Sequence, residues 1–165
     1  MAFRYVRVIV ICLNGLILTK DISRFAKEDW PFYWISRVNA RYVQVLEKRL
    51  KPMGIDVSHW RVLISLYESQ YLSISELAEM STMRLNTTTK VVQRMIADGL
   101  VTTRVRPTDG RVTEACLTEK GDRMRALALV EALEIFELSF ASLPPDDRAT
   151  LNGILAKVFT QIDKL

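Results

Sequence analysis

The sequence predicts a mainly α-helical chain carrying one small β-hairpin, and three observations lead there. Residues 74–98 read as two helices joined by a tight turn. Residues 101–105 and 112–117 are β-branched-rich runs of strand length around a turn that holds Pro107 and Asp109-Gly110. Residues 31–51 and 118–142 are long helices with apolar stripes on either side of that unit. The combination is a winged helix-turn-helix, mainly α with a small β-hairpin wing, flanked by N- and C-terminal dimerisation helices.

The first helix of the central unit opens on Ser73-Ile74-Ser75-Glu76, a capping box in which Ser and Glu satisfy each other's free backbone N–H groups. Ile74, Leu77, Ala78 and Met80 then make one apolar face at helical spacing. Ser81-Thr82-Met83-Arg84 breaks the pattern and forms the turn. In the second helix, Leu85, Thr88, Val91, Val92, Met95 and Ile96 face inward, while Asn86, Thr87, Lys90, Gln93 and Arg94 face outward. Gly99 stands where a left-handed cap ends a helix. Short hydroxyls and amides on the first outward turn can reach base edges, because a helix enters the major groove with its first turns closest to the bases. Lys90 and Arg94, further along, suit phosphates. Arg84 and Thr89 flank this face and join the candidate set.

The wing strengthens that reading. Arg104, Arg106 and Arg111 cluster on the hairpin. An arginine at a hairpin tip can enter a narrow minor groove, where the negative potential is deepest. Asp109, two residues before Arg111, can pair with it and fix its direction. A solvated turn that happens to be basic is the plainer alternative, and the adjacent helix pair argues against it.

Composition agrees. One chain of 165 residues is one domain's worth, and 49% apolar with 25% charged residues is a globular balance. The net charge of +4 is modest, but its distribution is uneven. Residues 82–111 hold six Lys or Arg against two Asp or Glu, whereas residues 112–165 hold six against nine. The positive excess lies on the proposed reader, as an electrostatic footprint for nucleic acid should. Cys12, Cys116 and His59 fit no metal-ligand spacing. There is no Gly-rich phosphate loop and no Ser-His-Asp set. An enzyme, a metal site and a bound cofactor are therefore not expected.

The flanks come next. Residues 8–18 are strongly apolar behind Arg4 and Arg7, broken by Asn14 and Gly15, in a 1–30 extension of uncertain role. The run resembles a signal peptide in outline, without a convincing cleavage site. It is short of the roughly 20 residues that cross a bilayer. It reads as an extra helix or strand packed on a dimer, or as an over-extended start, ahead of a membrane anchor. From Pro31, well placed for a first helical turn, Ile35, Val38, Tyr42, Val45, Leu46 and Leu50 form a stripe that stops at Lys51-Pro52-Met53-Gly54. Ser58 is the expected cap of a helix to about residue 69, with Trp60, Leu63, Ile64 and Tyr67 inside, and Tyr71-Leu72 a short strand.

Thr118 is the expected cap of the long helix after the wing, which is apolar on two faces. Met124, Leu127, Val130, Leu133 and Phe136 form one face, and Leu129, Ile135, Leu138 and Phe140 the other. Leu143-Pro144-Pro145 ends it. A final helix carries Leu151, Ile154, Leu155, Val158, Phe159 and Ile162. A helix apolar on two faces needs cover on both, and a two-fold dimer would supply it.

These residues carry a resemblance. Ser73-x-x-Glu76-Leu77-Ala78, Asn86-Thr87-Thr88-Thr89-Lys90-Val91-Val92, Asp98-Gly99-Leu100-Val101, Asp109-x-Arg111 and Leu117-Thr118-Glu119-Lys120-Gly121 together resemble the MarR family of bacterial transcriptional regulators. The likeness runs from about residue 32 to the C-terminus. Arg84 departs from it, since relatives often carry a small capping residue there, and so does Thr88, at a usually apolar position.

The resemblance implies residues 31–54 and 119–165 as dimerisation helices and residues 55–118 as a DNA-binding domain. It implies a cytoplasmic homodimer that binds a palindromic operator as a repressor. The DNA-contacting set is then Arg84, Asn86, Thr87, Thr89, Lys90, Arg94, Arg104, Arg106, Asp109 and Arg111. It also implies an effector pocket between dimer helices and reader, here Trp34, Arg37, Arg41, His59 and Trp60. Aromatics with a cation suit a small aromatic or phenolic acid. Alternatives are a winged helix that binds protein, against which the wing arginines argue, and a redox-sensing regulator acting through Cys12. Cys12 sits in an apolar run with nothing to stabilise a thiolate.

Overall fold

The computed structural model describes residues 8–13, 16–21 and 26–165, with side chains from residue 26 onward. The chain divides into two compact units, Met1–Arg41 and Tyr42–Leu165. In the first, β1 (Val8–Leu13) and β2 (Leu16–Asp21) form an antiparallel hairpin, with Leu13 opposite Leu16 and Val8 opposite Asp21. The apolar run is thus strand, as its β-branched content favours, and not helix. Arg4, Arg7, Asn14, Gly15 and the side chain of Cys12 lie outside the described residues. α1 (Pro31–Leu50) begins at its proline and crosses from the first unit into the second.

The second unit holds α2 (Val57–Glu68), β3 (Leu72–Ser73), α3 (Ile74–Met80), α4 (Leu85–Ala97), β4 (Val101–Arg106), β5 (Asp109–Leu117), α5 (Glu119–Phe140) and α6 (Pro145–Ile162). The antiparallel sheet has the order β3-β5-β4, with Leu72 opposite Ala115 and Val101 opposite Leu117. The wing strands run longer than expected, so the turn shrinks to Pro107-Thr108, and the register slips between Val105 and Arg106.

The core gathers Leu46 and Leu50 from α1, Leu63 and Leu66 from α2, Leu77 from α3, and Val91, Val92 and Met95 from α4. Val101 and Ala115 close it from the sheet, and Ala128 and Ile135 from α5. Each of these larger side chains contributes about 1.5–3 kcal/mol by leaving water. Thr88 is fully buried among them and donates its hydroxyl to the carbonyl of Arg84 at 3.2 Å, so this departure from an apolar residue costs no unpaired group.

Several expected positions change. Asp56, not Ser58, caps α2: its carboxylate accepts the backbone N–H of His59 at 2.9 Å and lies 2.8 Å from the His59 ring Nδ1. Leu85 and Ile96 are exposed, because the domain covers a narrower stripe of α4 than the helical period alone suggests. Tyr67 is exposed at the end of α2, with the guanidinium of Arg125 4.0 Å from its ring centroid. Met80 is likewise exposed in the last turn of α3.

The junction between α4, the wing and α5 is dense. Gly99, at φ +70°, follows α4 in the left-handed region. Its N–H bonds the carbonyl of Ile96, and the Leu100 N–H bonds that of Met95, so two orphan carbonyls of the helix end are satisfied. Thr118 then caps α5 by accepting the Gly121 N–H at 3.0 Å, while its hydroxyl donates to the Gly99 carbonyl at 2.7 Å. Lys120 donates to the Asp98 carbonyl at 2.7 Å. Gly121 leaves room for the Leu100 carbonyl, which a Cβ there would strike. Within this chain Leu127, Val130, Leu133 and Phe136 from one face of α5 and Leu138 from the other stay exposed, and α6 buries no residue.

Candidate nucleic-acid interface

The site begins with α3. Ser73 and Glu76 form the full reciprocal capping box, Glu76 accepting the Ser73 N–H at 2.7 Å. The turn that follows is tight: Ser81 N–H bonds the Leu77 carbonyl, and Met83 N–H reaches the Ala78 carbonyl. Thr82 takes φ +54°, a left-handed conformation that a β-branched residue rarely adopts. Arg84 is the N-cap of α4 and makes no side-chain capping bond, which leaves its guanidinium at the exposed start of the helix.

Asn86, Thr87, Lys90, Gln93 and Arg94 lie together, all exposed, along one face of α4. Four of them are the expected contacts. Gln93 adds an amide three residues after Lys90, on the outward face the periodicity assigns to it. Thr89 is less available, because its hydroxyl donates to the Leu85 carbonyl at 2.9 Å. Arg94 lies 3.8 Å from Asp56, both partly exposed, so the pair is too solvated to withhold Arg94 from a phosphate.

The wing arginines divide into two kinds. Arg111 is 91% exposed at the tip, and Asp109 holds it by its backbone N–H at 3.1 Å and by Nε at 3.2 Å. Those hydrogen bonds keep the Asp109 carboxyl below its usual range. Arg104 and Arg106 point instead into the base of the wing. The buried Glu114 accepts from Arg106 Nε at 2.6 Å and from Arg104 Nε at 2.9 Å, and Glu76 accepts from Arg106 Nη2 at 2.6 Å. Arg106, and then Arg104 against the cost of burial, hold the Glu114 carboxyl down. Hydrogen bonds from Ser73, and then from Arg106, lower Glu76 to about 2. The signal for this network is in the sequence, since Glu114 falls opposite Arg104 once the strands are put in register. It stays hidden until the turn length is known.

The expected effector residues fall in different settings. Trp34, Arg37 and Arg41 are exposed on α1. Trp34 donates its indole N–H to the Glu28 carbonyl at 2.8 Å, and Arg37 sits 5.4 Å from the Tyr33 ring centroid. His59 and Trp60 are buried on α2, with His59 Nδ1 2.8 Å from the Asp56 carboxylate. Burial pushes the Cys116 thiol up, so it is not a thiolate at neutral pH. Among the described residues no group of His, Cys, Asp and Glu is arranged to hold a metal ion, and no helix is long and apolar enough to cross a membrane.

Comparison with known proteins gives this geometry a lineage. The profile of the MarR family matches residues 55–113. The HTH-type transcriptional repressor IacR of Pseudomonas putida is 43% identical over 147 residues, 87% of this chain and 86% of that protein. The chain belongs to the MarR family. It is a transcriptional regulator rather than an enzyme. A MarR-family regulator from Silicibacter pomeroyi shares the fold, with a TM-score of 0.79 at 22% identity over 87% of this chain and 97% of that one. A mutant MarR from E. coli, solved in complex with operator DNA, is 25% identical with a TM-score of 0.70 over 80% of this chain and 96% of its own. In this MarR-family chain, the matched residues 55–113 contain α3, α4 and the tip of the wing.

Proposed function

We propose that this chain is a repressor that binds a palindromic operator as a cytoplasmic homodimer. The observation that carries the reading is the pairing of one exposed polar and cationic face on α4 with an exposed, carboxylate-held Arg111 at the wing tip. Asn86 and Thr87, at the start of α4, are the base-reading candidates, with Gln93 beside them. Arg84, Lys90 and Arg94 are the phosphate contacts, Thr89 a weaker one, and Arg111 the minor-groove contact. Arg104, Arg106 and Asp109 serve the interface by holding the wing. The open apolar faces of α5 and α6 support pairing of two copies through these helices together with α1, since exposed stripes of this length are unusual on a monomer. Two α4 helices related by a two-fold axis would then read half-sites about 34 Å apart.

The test is fluorescence anisotropy with a duplex from the protein's own upstream region, at several salt concentrations. Wild type should bind with a steep fall of log K on log salt, and Arg111→Ala should lose about 1–3 kcal/mol. Binding no tighter than to random duplex would overturn the reading. A small aromatic or phenolic acid is the proposed effector, supported by Trp34, Arg37 and Arg41 standing exposed on α1. His59 and Trp60, buried on α2, are the less available members of that set. Arg41→Ala should blunt release by a phenolic acid and leave DNA affinity intact; losing both together, or neither, removes the effector assignment.

A further inference from the structure

An acidic side chain beside a nucleic-acid surface ordinarily weakens binding, because it repels phosphate. Two such side chains stand at this surface, Glu114 on the wing and Glu76 on α3. Glu114 is 5% exposed and receives both Arg104 and Arg106, and Glu76 takes the far side of Arg106 while capping α3. The guanidinium of Arg104 also lies 3.1 Å from the Tyr71 ring centroid. A continuous series of contacts, Tyr71–Arg104–Glu114–Arg106–Glu76, therefore runs from the segment before β3, across both wing strands, to the first turn of α3.

The rest of the hairpin has little else to orient it. β3 covers only the base of β5, at Ala115 and Glu114, and Val105 is 59% exposed further out. A two-stranded ribbon without a covering layer is marginal alone. Charge-assisted hydrogen bonds to a buried carboxylate are among the stronger polar contacts available to hold it.

We propose that Glu114 and Glu76 are positioning residues for DNA binding, fixing the wing against α3 so that Arg111 is presented at a set distance from the reading face of α4. The proposal rests on the wing being a DNA contact. It predicts the opposite sign from simple electrostatics: removing either negative charge lowers affinity. It also predicts coupling, since an Arg111 on a loosened wing has less to lose.

The experiment measures operator affinity by anisotropy for Glu114→Gln and Glu76→Gln, each alone and combined with Arg111→Ala. Glu76→Gln keeps an oxygen for the Ser73 N–H, so the α3 cap survives. Each Gln variant should bind on the order of tenfold more weakly, the scale of one charge-assisted hydrogen bond. Arg111→Ala should cost a smaller factor in either Gln background than in wild type. Gln variants that bind as tightly as wild type or tighter, or an undiminished Arg111 effect, overturn the proposal. If circular dichroism shows that Glu114→Gln does not fold, Glu76→Gln carries the same test from the exposed side of Arg106. Arg111→Ala without effect in otherwise wild-type protein overturns the wing reading as well as this one.

Discussion

Gly121→Ala sets two well-understood effects against each other. Gly121 lies in the first turn of α5, where alanine is the better helix former by at most about 1 kcal/mol. On propensity alone the variant should be more stable. The structure gives the opposite sign, because a Cβ would overlap the Leu100 carbonyl oxygen and sit 2.9 Å from its carbon. Those atoms are backbone and cannot swing aside. Leu100 is itself held, its N–H on Met95, its carbonyl accepting the Thr118 N–H at 3.1 Å, and its side chain in the core. Relief requires α5 to move off, which loses that hydrogen bond, worth about 1 kcal/mol. It also leaves overpacking strain of about 1–3 kcal/mol. The net expectation is a destabilisation of about 1–3 kcal/mol, after the propensity gain is subtracted. Urea unfolding followed by circular dichroism, at one fixed protein concentration because association would shift the midpoint, measures it. A variant as stable as wild type would refute the close-packing argument and return the position to propensity.

The revised cap of α2 predicts an asymmetry: Asp56→Ala should cost about 1 kcal/mol in the same assay and Ser58→Ala a few tenths at most. Equal costs would restore Ser58 as the cap. The Glu76 carboxyl, lowered from 4.5 to about 2, makes a contribution present in full above pH 4.5 and lost as pH falls toward 2. The stability gap between wild type and Glu76→Gln should therefore be the same at pH 7 and pH 5 and smaller at pH 3. A gap that does not change with pH would mean that the charge on Glu76 does not matter to the fold.

What could be read from the sequence was what depends on neighbours within about four residues. Ser73 with Glu76, Gly99 after α4, and Thr118 before Gly121 each fall where their local chemistry predicts. Ser58 was expected as the cap of α2 because it is a good capping residue, but Asp56, an equally good one two positions earlier, takes that place. His59 shows why, since its backbone N–H and its ring Nδ1 both turn to the Asp56 carboxylate. Leu85 and Ile96 were misplaced for a different reason. Helical periodicity gives the direction of a face but not its width, and the neighbouring elements cover only Thr88, Val91, Val92 and Met95. The roles of Arg104 and Arg106 depended on a strand register and on a residue from α3, neither of which a basic cluster in sequence reveals.

The junction at Gly121 also bears on regulation. The Leu100 carbonyl, Thr118 and Lys120 bind the start of α5 to the end of α4. α5 has 22 residues, so at 1.5 Å per residue it is a lever about 33 Å long. If α5 and α6 pair two copies, as proposed, a small change in how the helices pair is carried through that rigid joint to α4. A tilt of about 6° over that length moves the far end by roughly 3.4 Å, the rise of one base-pair step. An effector therefore need not touch the reading face to misalign two half-sites. It need only bind better to one helix arrangement than to the other. The same geometry requires a stiff joint, and stiffness is what the glycine, the cap and the lysine supply together. A loosened joint, as in Gly121→Ala, should weaken operator binding and at the same time reduce its sensitivity to effector.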